Sequence, residues 1–379
     1  MVVPTEEQTS PEAKLYVIPR YAVDHMLESF QVERTRLSEI LDIPDTNDQQ
    51  WREYTEKWWG DQTVEDQHML RRIITAMGAP ALVSNVNVIK GTDGLLNTRA
   101  VFTSTRIDDP AFFIGQDADG NNYNVTYMES GSILAATLFM YLDAGQEFGT
   151  TEFKLTFSTS DLITFLGVID LYKRSSYIGL MEHTTSEFIV TSQEVYNSVD
   201  DAVTYSDIRW TLPFVILQIT NDVQPPTQAE INTSINTLVQ RGVLKLNEDG
   251  QTYSLTEPGL FCAKTMMHTF NKVNISSFGI NESGSPAKKG AVFIRADPIL
   301  WAVLVEKDSA IFTSMDLDTA SETLSQLLSP PPAAVPKIEP KKVQAQPVAP
   351  ICPKCGKPAT WVEAYKRWYC YSCQEYLEA

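Results

Sequence analysis

Four cysteines close the sequence as two pairs, Cys352-Pro-Lys-Cys355 and Cys370-Tyr-Ser-Cys373, with fourteen residues between them. Thiolates are soft donors that zinc prefers, and two tight C-x-x-C turns bring four of them to equal reach in a tetrahedron. Gly356, directly after the first pair, gives the backbone freedom that lets such a turn close under a metal. Two disulfides or four free thiols are the competing readings. Both fit poorly with an opening, MVVPTEEQTSPEAK, that carries no apolar signal segment and points to a reducing, cytoplasmic compartment. The spacing therefore predicts one Zn2+ held by Cys352, Cys355, Cys370 and Cys373. A four-thiolate shell leaves no open position for substrate, so a structural ion is expected.

The stretch from Cys352 to Leu377, and above all Arg367-Trp368-Tyr369-Cys370-Tyr371-Ser372-Cys373, resembles a small zinc ribbon found at the C-terminus of archaeal proteins behind a proline-rich linker. The resemblance covers 351–379 alone. It implies zinc and an archaeal cytoplasm. It implies no reaction, because such ribbons are appended to many unrelated proteins.

Other chemistry is sparse. No phosphate-binding G-x-x-x-x-G-K-[ST] loop, G-x-G-x-x-G turn, H-E-x-x-H pair or G-x-S-x-G elbow occurs. The fifth cysteine, Cys262, sits in the apolar Leu260-Phe261-Cys262-Ala263 and reads as a buried, inert thiol. His25, His68, His183 and His268 are scattered and read as packed or surface groups. Asp117, Asp119 and Asn121 alternate like calcium ligands, but Asn122 stands where such a loop needs glycine and Met128 where it needs glutamate. A hairpin turn is the better reading. The sequence nominates no catalytic residue.

These residues must be positioned by a chain of 379 residues, 43% hydrophobic and 21% charged, a composition that folds rather than staying disordered. The apolar runs Ile133–Leu142 and Leu212–Ile219 are core-sized, so no membrane span is expected. The net charge of −18 is uneven. From Lys337 onward there are seven Lys/Arg and four Asp/Glu, which leaves 23 Lys/Arg against 44 Asp/Glu, a balance of −21, in the 336 residues before. Such a body repels a phosphate backbone at long range.

The fold class expected is α+β: a mixed helical and antiparallel-sheet body with an embedded winged helix, and a tethered zinc ribbon. Residues 1–14 are polar and expected to be disordered, 15–200 an α+β domain, 201–275 winged-helix-like, and 276–328 a strand-helix segment completing the body. Residues 329–350, with seven prolines, read as an extended linker before the ribbon at 351–379. Within the body, one helix is predicted over Tyr21–Leu41 and others near Gln50–Trp59 and Glu65–Met77. Alternating strands follow from Leu82 to Tyr127, and helices are expected over Ser130–Leu142 and from Ser158 to about Tyr172. A strand-cap-helix phrase at Phe153–Leu162 is echoed at Phe312–Leu317, too briefly to claim a duplication.

Helices over Ile208–Thr220 and Ala229–Gln240, a glycine stop at Gly242, and strands at Val243–Leu246 and Gln251–Leu255 resemble a winged helix-turn-helix. The carrying residues are Leu238-Val-Gln-Arg-Gly-Val-Leu244 and Tyr253-Ser-Leu-Thr-Glu-Pro-Gly259. Many members bind DNA, which would nominate Arg241 and Lys245 here, with Lys366 and Arg367 of the ribbon. The expected function is a non-enzymatic interaction or adaptor protein whose partner the sequence leaves unnamed. The alternatives are a DNA-associated transcriptional regulator and, third, an enzyme with an unrecognised site.

Overall fold

In the computed structural model the described residues are 14–329, except 47, 91–93, 105, 143–148, 185–186, 206–210, 221–223, 268, 281–285 and 307–308, together with 352–377, except 358 and 363–365. The expected disordered N-terminus and proline-rich linker lie outside them, apart from Lys14 and Ser329. The chain divides into two compact units, Met1–Ala333 and Ala334–Ala379.

The larger unit is α+β and is built on one antiparallel sheet whose plan repeats. Its first half opens with strand β1 (Leu15–Pro19) and helices α1 (Arg20–Ser29), α2 (Gln49–Gly60) and α3 (Val64–Gly78). A meander follows, β2 (Leu82–Lys90), β3 (Gly94–Phe102), β4 (Ala111–Gln116) and β5 (Asn122–Met128), closed by α4 (Gly131–Tyr141). The second half opens with β6 (Lys154–Ser158). A helical layer comes next: α5 (Thr159–Glu182), β7 (Val190–Thr191), α6 (Ser192–Tyr205), α7 (Leu212–Thr220), α8 (Gln228–Gln240), β8 (Leu244–Leu246), β9 (Thr252–Leu255) and α9 (Glu257–Met266). Another four-strand meander, β10 (Thr269–Ile280), β11 (Pro286–Ala296), β12 (Ile299–Glu306) and β13 (Ser309–Met315), is closed by α10 (Leu317–Leu328).

The sheet order is β1-β5-β4-β3-β2-β10-β11-β12-β13-β6, which has the same plan read from either end. The halves join where β2 and β10 run antiparallel, with Val88 opposite Val273 and Val86 opposite Ile275. Each opening strand pairs with the last strand of its own meander, β1 with β5 and β6 with β13. The short echo noted in the sequence therefore joins non-equivalent pieces, because β6 corresponds to β1 and not to β13. Its common feature is local: Ser158 and Asp316 each accept a hydrogen bond from the backbone N–H three residues on.

Strand alternation sorts the apolar side chains onto two faces. On one face, Val86, Val88, Ala100, Val273, Ile275, Ala291, Phe293, Leu300 and Ala302 meet α4 and α10. The opposite face carries two clusters. Val83, Val101, Phe112, Ile114, Tyr123 and Val125 lie beneath α1 and α3. Val292, Ile294, Trp301, Val303, Ala310 and Phe312 lie beneath the α5–α9 layer.

Several boundaries differ from the sequence reading. The single helix expected over Tyr21–Leu41 ends at Ser29 and resumes only as a 3-10 turn, Arg36–Leu41. Gln31 adopts a left-handed φ of 56°, while Val32 N–H donates to Leu27 O and Gln31 N–H to Glu28 O. This is a Schellman stop without the usual glycine, so nothing in composition marks it. Helix α5 runs ten residues past Tyr172 because its C-terminal turns leave the core, with Arg174, Ser175 and Leu180 exposed. Strand β10 crosses the division drawn at 275/276 without a break. Helix α7 begins at Leu212, with Thr211 outside it; the expected start at Ile208 lies outside the described residues.

Candidate metal centre

The smaller unit is a three-stranded antiparallel sheet, β14 (Thr360–Val362), β15 (Arg367–Cys370) and β16 (Glu375–Tyr376). Its two cysteine pairs sit on matching turns. The first closes through Gly356 N–H to Cys352 O and Cys352 N–H to Lys357 O, each at 2.8 Å. The residue just after each pair takes a left-handed φ, Gly356 at 67° and Gln374 at 57°. The expectation of backbone freedom at Gly356 is met. Gln374 takes a similar conformation with a side chain attached, which costs an L-residue roughly 1 kcal/mol.

The four sulfurs lie within 4.8 Å of one another. Cys352 Sγ is 3.9 Å from Cys373 Sγ, and Cys355 Sγ is 3.5 Å from Cys370 Sγ. Donors about 2.3 Å from a tetrahedral zinc ion stand about 3.8 Å apart, so both pairs match that shell. Cys352 and Cys370 are buried, Cys373 is half-buried and Cys355 faces solvent. Backbone N–H groups of Lys354 and Cys355 donate to the Cys352 sulfur and hold its thiol down at about 7. Cys373 is pushed up to about 12, first by hydrogen bonding with the Cys355 thiol and then by burial. Sulfurs this close share protons, and a dication would replace them. Tyr369 anchors the ribbon's aromatic side, with ring centroids 5.0 Å from Tyr371 and 4.8 Å from Tyr376, and Lys354 pairs with Glu375.

The four cysteines converge, and they can hold a metal ion. The basic residues nominated for nucleic acid are divided between the two units. Lys366 and Arg367 are exposed at the start of β15, whereas Arg241 and Lys245 belong to the larger unit. Arg241 is already engaged: its guanidinium donates to the carbonyl of Thr156 on β6 and lies 5.5 Å over the Phe157 ring.

No protein-family model matches this chain, and no curated protein matches it. Among solved structures, the type VII secretion system chaperone EspG5 of Mycobacterium tuberculosis, solved in complex with the PE25-PPE41 dimer, is similar over 84% of this chain and 97% of its own. The identity is 7% and the TM-score 0.40, a likeness too loose to transfer a fold or a role.

Cys262 fits its sequence reading. It is fully buried, and burial pushes its thiol far up, away from nucleophilic use. His268 lies outside the described residues. The Asp117 loop is the hairpin turn expected, with the Asp117 carboxylate accepting from the N–H groups of Asn121 and Asn122 and from the Asn122 amide. Among the described residues, no helix is long and apolar enough to cross a membrane.

Proposed function

We propose that this chain is a non-enzymatic interaction protein whose larger unit docks a protein partner and whose ribbon holds one structural zinc ion. The observation that carries the reading is a contrast between two helices in equivalent places. Helices α4 and α10 close the two meanders and pack side by side on the same sheet face. Outward from the core, α10 presents Asp318, Ser321, Glu322 and Gln326. Helix α4 contains no charged residue and presents Ile133, Ala136, Met140 and Tyr141, with Met140 74% exposed. The shared plan accommodates a polar outer face, so an apolar one on α4 is surplus to folding and is the mark of a contact surface. The experiment is quantitative partner capture from native extract, with nuclease present. The expected result is a protein partner lost at least tenfold in the Ile133→Gln/Met140→Gln double variant, which keeps the charge. Capture that ignores the double variant, or that nuclease abolishes, counts against the reading.

The DNA-regulator reading stands second, and chain order supports it. Helices α5, α6 and α8 pack together, β7 joins β9 and β8 in a small sheet, and the β8–β9 hairpin follows α8 as a wing would. The cation supply argues the other way. Arg241 is engaged with β6, the outer face of α8 offers the neutral Asn232, Thr233, Asn236 and Gln240, and the hairpin tip carries Glu248 and Asp249. Genomic DNA fragments titrated across a salt series should bind weakly and without sequence preference. Specific binding near 10⁻⁸ M that Lys245→Ala weakens would establish the regulator instead.

A further inference from the structure

Helix α3 carries a cationic face on an otherwise acidic body. His68, Arg71, Arg72 and Thr75 fall at i, i+3, i+4 and i+7, hence on one side, and all four are exposed. That side lines a cleft of about 520 Å³, completed by Ala76, Ala79, Thr103 and Phe112.

The contacts of Arg71 and Arg72 are aromatic rather than acidic. Arg20, Arg34, Arg52, Arg174 and Arg295 each sit within 4.0 Å of a carboxylate. Among the described residues, Arg71 and Arg72, like Arg36, Arg99, Arg106 and Arg241, have no carboxylate that close, although acids outnumber bases almost two to one before Lys337. Aromatic rings hold them instead. The Arg71 guanidinium lies 4.9 Å over Phe30 and that of Arg72 lies 5.3 Å over Tyr127. A guanidinium resting on a ring keeps its in-plane N–H groups available, and their fork matches the oxygens of a phosphate. Of the acids in the first turn, Asp66 is engaged elsewhere. Asp66 is bound by Lys14 and Thr63, and Glu65 precedes it at the helix start.

We propose that this cleft binds the phosphate group of a small phosphorylated molecule. Arg71 and Arg72 grip the phosphate, His68 and the hydroxyls of Thr75 and Thr103 complete its hydrogen bonds, and Ala76 and Ala79 floor the remainder. The volume fits a metabolite-sized ligand. The body's net charge does not forbid this, because at physiological salt a field fades over about 8 Å and the local cations dominate.

Isothermal titration of the full chain at physiological salt, with pyrophosphate, AMP, acetate and a neutral phosphoserine peptide, tests the proposal. Pyrophosphate or AMP should bind at least tenfold tighter than acetate. Arg71→Gln/Arg72→Gln should abolish that preference, while Lys154→Gln/Lys264→Gln, two exposed lysines with the same charge change, should keep it. A second measurement needs no variant: pyrophosphate should protect Arg71 and Arg72 from phenylglyoxal, read by peptide mass spectrometry. Equal binding of acetate, retention in the arginine variant, or modification of both arginines that pyrophosphate leaves unchanged would overturn it. A phosphoserine peptide binding tenfold tighter than both small phosphates would overturn the small-molecule assignment.

Discussion

Replacing Cys370 with serine is expected to unfold the ribbon and abolish metal binding while leaving the larger unit folded. Cys370 is buried and closes one of the two sulfur pairs, at 3.5 Å from Cys355. The ribbon has three short strands, and Cys352, Ala359 and Cys370 are buried in it. A unit of that size cannot offset its chain entropy by burial alone, so the ion's binding energy, about 10–16 kcal/mol for small structural zinc sites, is the folding energy. Wild-type protein purified without oxygen should contain one zinc per chain by elemental analysis, and the variant almost none. Acid should act the same way. Each sulfur must be a thiolate to bind, so protons compete increasingly as the pH falls, and even Cys352, already held at about 7, is protonated below neutrality. Metal release should therefore steepen below pH 7. Less than about half an equivalent of zinc in the wild type, or a variant whose ribbon strands persist without metal, would remove the basis of this assignment.

The four-cysteine cluster was legible because its information is local: donor type, spacing and a following glycine all fall within a few residues. The same holds for the stop of α8, where Gly242 takes a φ of 69° and Val243 N–H donates to Leu238 O. The start of α8 carries a signal of the same local kind that the sequence reading did not use, a capping box between Thr227 and Glu230. The end of α1 was not legible, because Gln31 does by backbone hydrogen bonds what glycine ordinarily does by permissive conformation. The repeated plan of the sheet was not legible either. It arises from the pairing of β2 with β10, far apart in sequence, and two halves with such different helical layers share little pattern beyond alternation. The cations of α3 stand in helical register in the sequence, yet their meaning depends on Phe30 and Tyr127, which other elements supply. Arg241 shows the converse. Beside a polar helix it reads as a free cation, but the free edge of β6 takes it up.

Trp301→Ala is expected to lower the stability of the larger unit by about 3–5 kcal/mol, the range for removing a large buried aromatic. That is a large share of the roughly 5–15 kcal/mol a domain has to lose. Trp301 is fully buried on β12, stacked on Phe312 at 4.9 Å and met edge-on by Phe153 at 5.7 Å. Its indole N–H donates to the Thr265 hydroxyl at 3.1 Å, and its ring meets Phe261 at 6.3 Å. Those last two partners belong to α9, so the indole joins the sheet to the helical layer. Trp301→Phe keeps a ring but loses the donor, and should cost about 1–2 kcal/mol. Denaturant unfolding followed by circular dichroism separates the two variants, and a cost below about 1 kcal/mol for Trp301→Ala would show that α9 is anchored elsewhere. The damage should also have a direction. Helix α9 lies so close to Val243, the residue leading into β8, that a methyl group at Gly259 would come within 2.4 Å of the Val243 carbonyl. Movement of α9 must therefore carry β8, and with it the end of α8. Hydrogen exchange in Trp301→Ala should accelerate first in α9, β8 and α8, and only later in β10 and β11, whose side chains on the α4 and α10 face pack without the indole. Uniform acceleration across both meanders would mean that the helical layer and the sheet open as one.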